Sequence, residues 1–132
     1  THHMEQIHMN YYKQTDSSNI SQIPAYHDGK GTFDVCQLFE KQFQMPIKAA
    51  IWELKPGAGE GMHRHGDDRE LEEFYYFLEG EAVMYVEDEK ISVTAGDSIL
   101  VPQGVDHGFK NIGNNKLKVL VIWGSPKPKQ TG

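Results

Sequence analysis

From Thr32 onward the chain is a succession of short apolar runs, each stopped by glycine, proline, asparagine or aspartate. The runs are Thr32–Phe39, Ile47–Leu54, Phe74–Leu78, Ala82–Val86, Ile91–Val93, Ser98–Val101, Gly108–Asn111 and Leu117–Trp123. The breaks between them include Pro56-Gly57, Glu79-Gly80, Glu87-Asp88-Glu89-Lys90, Ala95-Gly96-Asp97 and Gly113-Asn114-Asn115. Such runs are too short for stable helices but suit strands, and these residues favour tight reversals. The pattern predicts an all-β sandwich or barrel. Only Phe39–Phe43 suggests a helical turn, and Gly57–Met62 reads as loop.

A chain of 132 residues is one domain's worth. Residues 1–4, Thr1-His2-His3-Met4, read as a tag remnant, so His2 and His3 stay out of any metal argument. Residues 5–31 are polar with scattered apolar side chains, and predict an extended N-terminal arm lying on the barrel or on a partner subunit. Residues 32–124 form the predicted barrel, and 125–132, with Ser125-Pro126-Lys127-Pro128-Lys129, a mobile tail. The formal net charge is −6, with no basic cluster. That argues against nucleic acid and against an anionic membrane surface, both of which need concentrated Lys or Arg. No apolar run approaches membrane-spanning length and no signal-peptide pattern opens the chain. The single cysteine, Cys36, cannot form an internal disulfide, which fits a cytoplasmic location.

Chemistry concentrates in His63-Arg64-His65. On a strand, residues i and i+2 point to one face, so two imidazoles so placed reach one ion. Downstream, Glu73 opens the aromatic run Phe74-Tyr75-Tyr76-Phe77, and His107 follows Pro102-Gln103-Gly104-Val105-Asp106. Gly57, Gly80, Gly96 and Gly104 fall where strands must reverse. Pro102 presets a turn before His107.

The spacing of these residues resembles two sequence motifs of the cupin superfamily. Gly57, five residues, His63, one residue, His65, a spacer, Glu73, six residues and Gly80 match the first. Gly96, five residues, Pro102, one residue, Gly104, two residues, His107, three residues and Asn111 match the second. The resemblance runs over roughly Thr32 to Trp123 and is closest to small single-domain members of the cupin 2 type. It implies a double-stranded β-helix, the RmlC-like jelly-roll barrel. It also implies one divalent transition-metal ion per chain, held by His63, His65, Glu73 and His107. Three imidazoles and a carboxylate suit Mn, Fe, Co, Ni, Cu or Zn, and a six-coordinate ion would keep two open positions. The spacer after His65 is longer than usual for the family, and a usual one would choose Glu70. Glu73 is preferred because Gly80 follows it at the family interval; Glu70 and Glu72 stay as alternatives.

By strand parity Tyr75 and Phe77 share a face with Glu73, and either line the pocket or fill the core. Met62 and Phe109 flank ligands, and either wall the pocket or pack in the core. Trp52 and Trp123 read as core or interface residues, and His8 and His27 as surface histidines. Asp67, Asp68 and Asp106 are candidates to orient ligand imidazoles, while Asn111 reads as fixing a turn or strand end. No general base stands out beyond the ligands, so no catalytic residue is assigned. The resemblance implies a dioxygenase, decarboxylase, isomerase or lyase acting on an oxygen-chelating small molecule such as a hydroxy, keto or sugar acid. The alternative is a non-catalytic metabolite-binding or sensing module. A homodimer is expected, with the arm offering a strand for exchange or edge pairing. Light scattering checks it: a dimer mass is expected, and a monomer mass contradicts it.

Overall fold

The computed structural model describes residues 10–63 and 71–126, with Asp28 and His63 described by their backbone alone. Among the described residues ten strands run β1 (Ser21–Pro24), β2 (Thr32–Leu38), β3 (Ile47–Leu54), β4 (Gly59–His63), β5 (Glu72–Glu79), β6 (Glu81–Val86), β7 (Glu89–Thr94), β8 (Ser98–Val101), β9 (His107–Asn111) and β10 (Leu117–Gly124). A six-stranded sheet has the order β1-β2-β3-β10-β5-β8, and a four-stranded sheet the order β4-β9-β6-β7. All the strand pairings are antiparallel. The all-β reading therefore holds, in the two-sheet jelly-roll form.

Alternation along the strands builds the core. In β5, Glu73, Tyr75 and Phe77 are buried, while Phe74 and Tyr76 are half-buried. β10 lies between β3 and β5, so Val121 sits between Ala50 and Tyr75, and Val119 between Trp52 and Phe77. These two rows pack with Ala82, Met84, Val93 and Phe109 of the other sheet. The Phe109 ring stacks on Trp52 at an interplanar angle of 12° and meets Tyr75 and Phe77 edge-on. Offset and edge-on ring contacts add to the gain from apolar burial.

Two readings change. The segment taken as loop before His63 is strand from Gly59, paired with β9. The arm also contributes a strand: β1 pairs with β2 of its own chain, at the sheet edge. Farther back, Gln14 donates to the Gln37 carbonyl and accepts from the Phe39 amide, and Lys118 pairs with Asp16 at 2.6 Å. These contacts tie residues 14–18 to β2 and β10 close to the buried Cys36, whose thiol lies 3.3 Å from the Ser18 carbonyl. At Phe39–Phe43 the backbone makes one hydrogen-bonded turn and no helix. Gly80 has φ +92°, and a Cβ there would lie 2.7 Å from the Lys116 carbonyl oxygen. Only glycine satisfies both conditions at that reversal.

Phe109→Ala is expected to cost about 3–5 kcal/mol, through lost burial and the cavity left among four rings. Leu100→Ala, at a side chain 59% exposed, is expected to stay within about 0.5 kcal/mol. Urea midpoints of the two variants check the contrast.

Candidate functional site

The site forms where β5, β9 and β4 meet. Glu73 is buried near the start of β5, between Trp123 of β10 and Val101 of β8 in register. His107, the first residue of β9, is 1% exposed. His107 Nδ1 donates to the Val105 carbonyl at 2.8 Å, which fixes the ring and its tautomer. Nε2 then faces Glu73 Oε1 at 2.5 Å. A nitrogen lone pair against a carboxylate oxygen repels, so the contact calls for positive charge at this place. The orienting partner of His107 is thus a backbone carbonyl. The carboxylate of neighbouring Asp106 does not take that part; Asp106 bonds to Glu87 through its backbone amide.

β4 and β9 carry a bulge. Glu60 pairs with Phe109, and His63 with His107, so three steps on β4 answer two on β9. Strict alternation would set positions 60 and 63 on opposite faces, whereas the bulge sets both against inward residues of β9. Gly108 makes the close approach possible: a Cβ there would meet the Glu60 carbonyl oxygen at 2.9 Å. Glu60 is buried, and this carboxyl was not among the residues singled out from the sequence. The only signal for it was a glutamate among glycines beside the His-x-His pair.

Tyr75 joins the two acids. Its hydroxyl lies 3.1 Å from Glu60 Oε1 and 3.1 Å from Glu73 Oε1. One phenolic proton cannot fully serve both, so the second contact is satisfied when one carboxyl is protonated and donates to the phenol oxygen. Burial, with the Glu73 charge beside it, holds Glu60 well above the usual carboxylate range, although the Tyr75 hydrogen bond opposes the shift. Burial and then the two carboxylates push the Tyr75 phenol well above its ordinary value. Burial and Glu60 raise Tyr26 in the same direction.

The other candidates are distributed as follows. Phe77 and Phe109 are core residues. Met62 is 45% exposed. Glu72 is exposed beside the buried Glu73. Asn111 fixes a turn, donating to the Leu54 and Asn115 carbonyls and accepting from the Gly113 amide. His8, His65, Asp67, Asp68 and Glu70 lie outside the described residues. Tyr26, His27, Trp52 and Trp123, unassigned or read as surface and core, border a cavity of about 200 Å³ together with Glu60, Leu71 and Glu73.

A family model described as "Cupin domain" matches residues 50–123, more than half of the chain. The chain belongs to the cupin family. This cupin is 42% identical over 59 residues to an uncharacterized protein of Methanocaldococcus jannaschii, a match covering 45% of each chain. The match thus spans under half the length of that curated relative. A solved structure from Thermotoga maritima, described as a predicted oxalate decarboxylase, superimposes with TM-score 0.80 at 25% identity, over 87% of this chain and all of that one. The polyketide cyclase RemF from Streptomyces resistomycificus gives 0.71 at 20% identity, over 90% of this chain and 83% of that one. A cupin 2 barrel protein of Salinispora arenicola gives 0.69 at 17%, over 87% and 88%. The last two likenesses concern the fold. No helix among the described residues of this cupin is long and apolar enough to cross a membrane.

The raised pKa of Glu60 sets a pH dependence. The folded state holds this proton more tightly than the unfolded chain. Its contribution to stability is therefore complete below the ordinary carboxylate range and is lost as pH rises through the raised value. Glu60→Gln, a neutral isostere, is expected to flatten that decline. Thermal midpoints of chelator-treated protein across pH check this, with the variant gaining on the parent toward alkaline pH.

Proposed function

We propose that this cupin is a metal-dependent enzyme acting on a small oxygen-bearing molecule, with one divalent transition-metal ion held by His63, His65, Glu73 and His107. The observation that supports it most is the buried contact between Glu73 and His107. Nδ1 of the imidazole is already committed to a carbonyl, so Nε2 and the carboxylate oxygen converge on a position that calls for positive charge. Register pairing of His63 with His107 brings a third candidate's backbone to the same place. The donor set of nitrogens and oxygen fits a mid-row transition metal.

When bound, such an ion supplies Lewis-acid polarisation of a chelating substrate oxygen, or oxygen chemistry if it is iron. The chain's own groups do the rest. The Val105 carbonyl holds the His107 ring in one orientation. The Tyr75 hydroxyl holds the Glu73 carboxylate from within the core. Trp52 and Trp123 border the adjoining cavity beside Glu73. Decarboxylation is one of the reaction types consistent with this arrangement, and it is the activity in the description of the Thermotoga protein. Dioxygenation, isomerisation and lyase chemistry use the same first requirement, a substrate oxygen held and polarised.

Elemental analysis of untagged protein is expected to find about one transition metal per chain, and His107→Ala to lose it. Full metal content in His107→Ala would sink the proposal. Tyr75→Phe removes a group that orients a ligand, and is expected to weaken metal affinity about 10–100-fold. A metal-loaded protein without turnover on any oxygen-chelating acid would favour the binding-module reading.

A further inference from the structure

Of the described side chains bordering the cavity beside Glu73, His27 is the one basic group, and the proposed ion site does not include it. Its imidazole is exposed and stands at the cavity with Tyr26, Trp52, Trp123 and Glu60. The residue lies on the short turn Tyr26–Asp28 between β1 and β2. That turn is clamped to β4. Lys30 and Gly59 exchange two backbone hydrogen bonds, each of 3.0 Å, and the Gly29 amide closes the turn on the Tyr26 carbonyl at 3.0 Å. A Cβ at Gly29 would lie 1.9 Å from the Gly59 carbonyl oxygen, so the two backbones are in contact. The clamp therefore sits one residue from the buried Glu60, and the ring of His27 is presented to the cavity from a fixed backbone. His27 has φ +55° and ψ +43°, the left-handed conformation that glycine and asparagine adopt with least strain.

The chemistry of an imidazole narrows what it can receive. Its N–H donates to a carboxylate whether the ring is neutral or charged, and a charged acceptor makes the stronger hydrogen bond. Burial holds Glu60 well above the usual carboxylate range, and the proposed ion offsets the Glu73 charge. An anion therefore meets less opposition here than two bare carboxylates would give. The cavity volume is about 200 Å³, and a cavity of about 150 Å³ holds one benzene molecule, so the space suits a small acid. We infer that His27 is a specificity-determining residue: its imidazole receives a second carboxylate of the substrate, at the end remote from the chelating oxygens. It thereby selects small hydroxy or keto dicarboxylic acids over monocarboxylic ones. This rests on the proposed function for where the chelating end lies, at Glu73.

Lactate and malate share the 2-hydroxy carboxylate end and differ by one carboxylate on the methyl carbon, so the pair isolates the second acidic group. The chain has two tryptophans, and both border the cavity, so intrinsic fluorescence reports occupancy directly. Each acid is titrated into untagged protein loaded with zinc, which has no redox chemistry, and into chelator-treated protein, with metal content measured on the same samples. Malate is expected to bind zinc-loaded protein about ten-fold tighter than lactate, and His27→Gly to bring the two within about two-fold, the loss falling on malate. Should that variant melt without cooperativity, His27→Asn, which suits the same backbone conformation with a shorter side chain, is expected to show the same loss. Lactate bound as tightly as malate, no saturable binding of malate, or a preference that survives in both variants overturns the inference. A parallel loss of both affinities at an unchanged ratio overturns it too, since that marks a structural role. A malate preference lost at position 27 in protein that takes up no metal supports recognition by His27 while removing the metal proposal. One metal per chain with lactate and malate bound alike does the reverse.

Discussion

Two carboxyl groups and an imidazole sit against the aromatic end of a core, and the arrangement around them exists to make that burial tolerable. An ionised carboxylate taken out of water without partners costs several kcal/mol. Here Glu73 meets His107, and Tyr75 bridges Glu73 to Glu60 from the floor of the core. Tyr75 is wholly buried, yet its hydroxyl has both carboxyls as partners. The same residue therefore belongs to the ring cluster around Phe109 and to the polar network, so packing and chemistry are joined in one side chain.

Strand geometry places those groups. β10 holds β5 in register, which sets Glu73 opposite Trp123. β9 brings His107 in from the other sheet, and the bulge on β4 turns Glu60 toward the same space. Glycine at 108 lets the two backbones close, since any side chain there would meet β4. Around this centre the six-stranded sheet is backed by the arm, whose contacts through Gln14 and Asp16 lie over β2 and β10. The polar centre thus opens toward the cavity bordered by Tyr26, His27 and Trp123.

A proton or a metal ion at the Glu73–His107 contact gives the site different chemistry. With a proton, the contact is a buried ion pair within a carboxyl–phenol network. With a metal, the carboxylate and imidazole become ligands, and Tyr75 and the Val105 carbonyl become the groups that aim them. In either state Tyr26, Trp52 and Trp123 border the cavity beside Glu73.

Much of the architecture was legible in the sequence. Turn residues and apolar alternation are local, so they located eight of the nine strands described from Thr32 onward, all but β4, with ends shifted by a residue or two. The spacing of His63, Glu73 and Gly80, and of Gly96, Pro102, Gly104 and His107, likewise resembled the two motifs of the family. β1 was not legible, since four mostly polar residues acquire strand form only by pairing with β2. Glu60 was hidden for a different reason: a bulge breaks the two-residue alternation on which face assignment depends. The orienting carbonyl of Val105 and the walls Tyr26, His27, Trp52 and Trp123 depend on contacts between distant segments, for which sequence spacing holds no signal. By itself the sequence determined the all-β class, the turns and the candidate ligands, all set by short-range pattern. Only the tertiary structure decided which acids are buried together and what surrounds them, because those facts arise from register between strands remote in the chain.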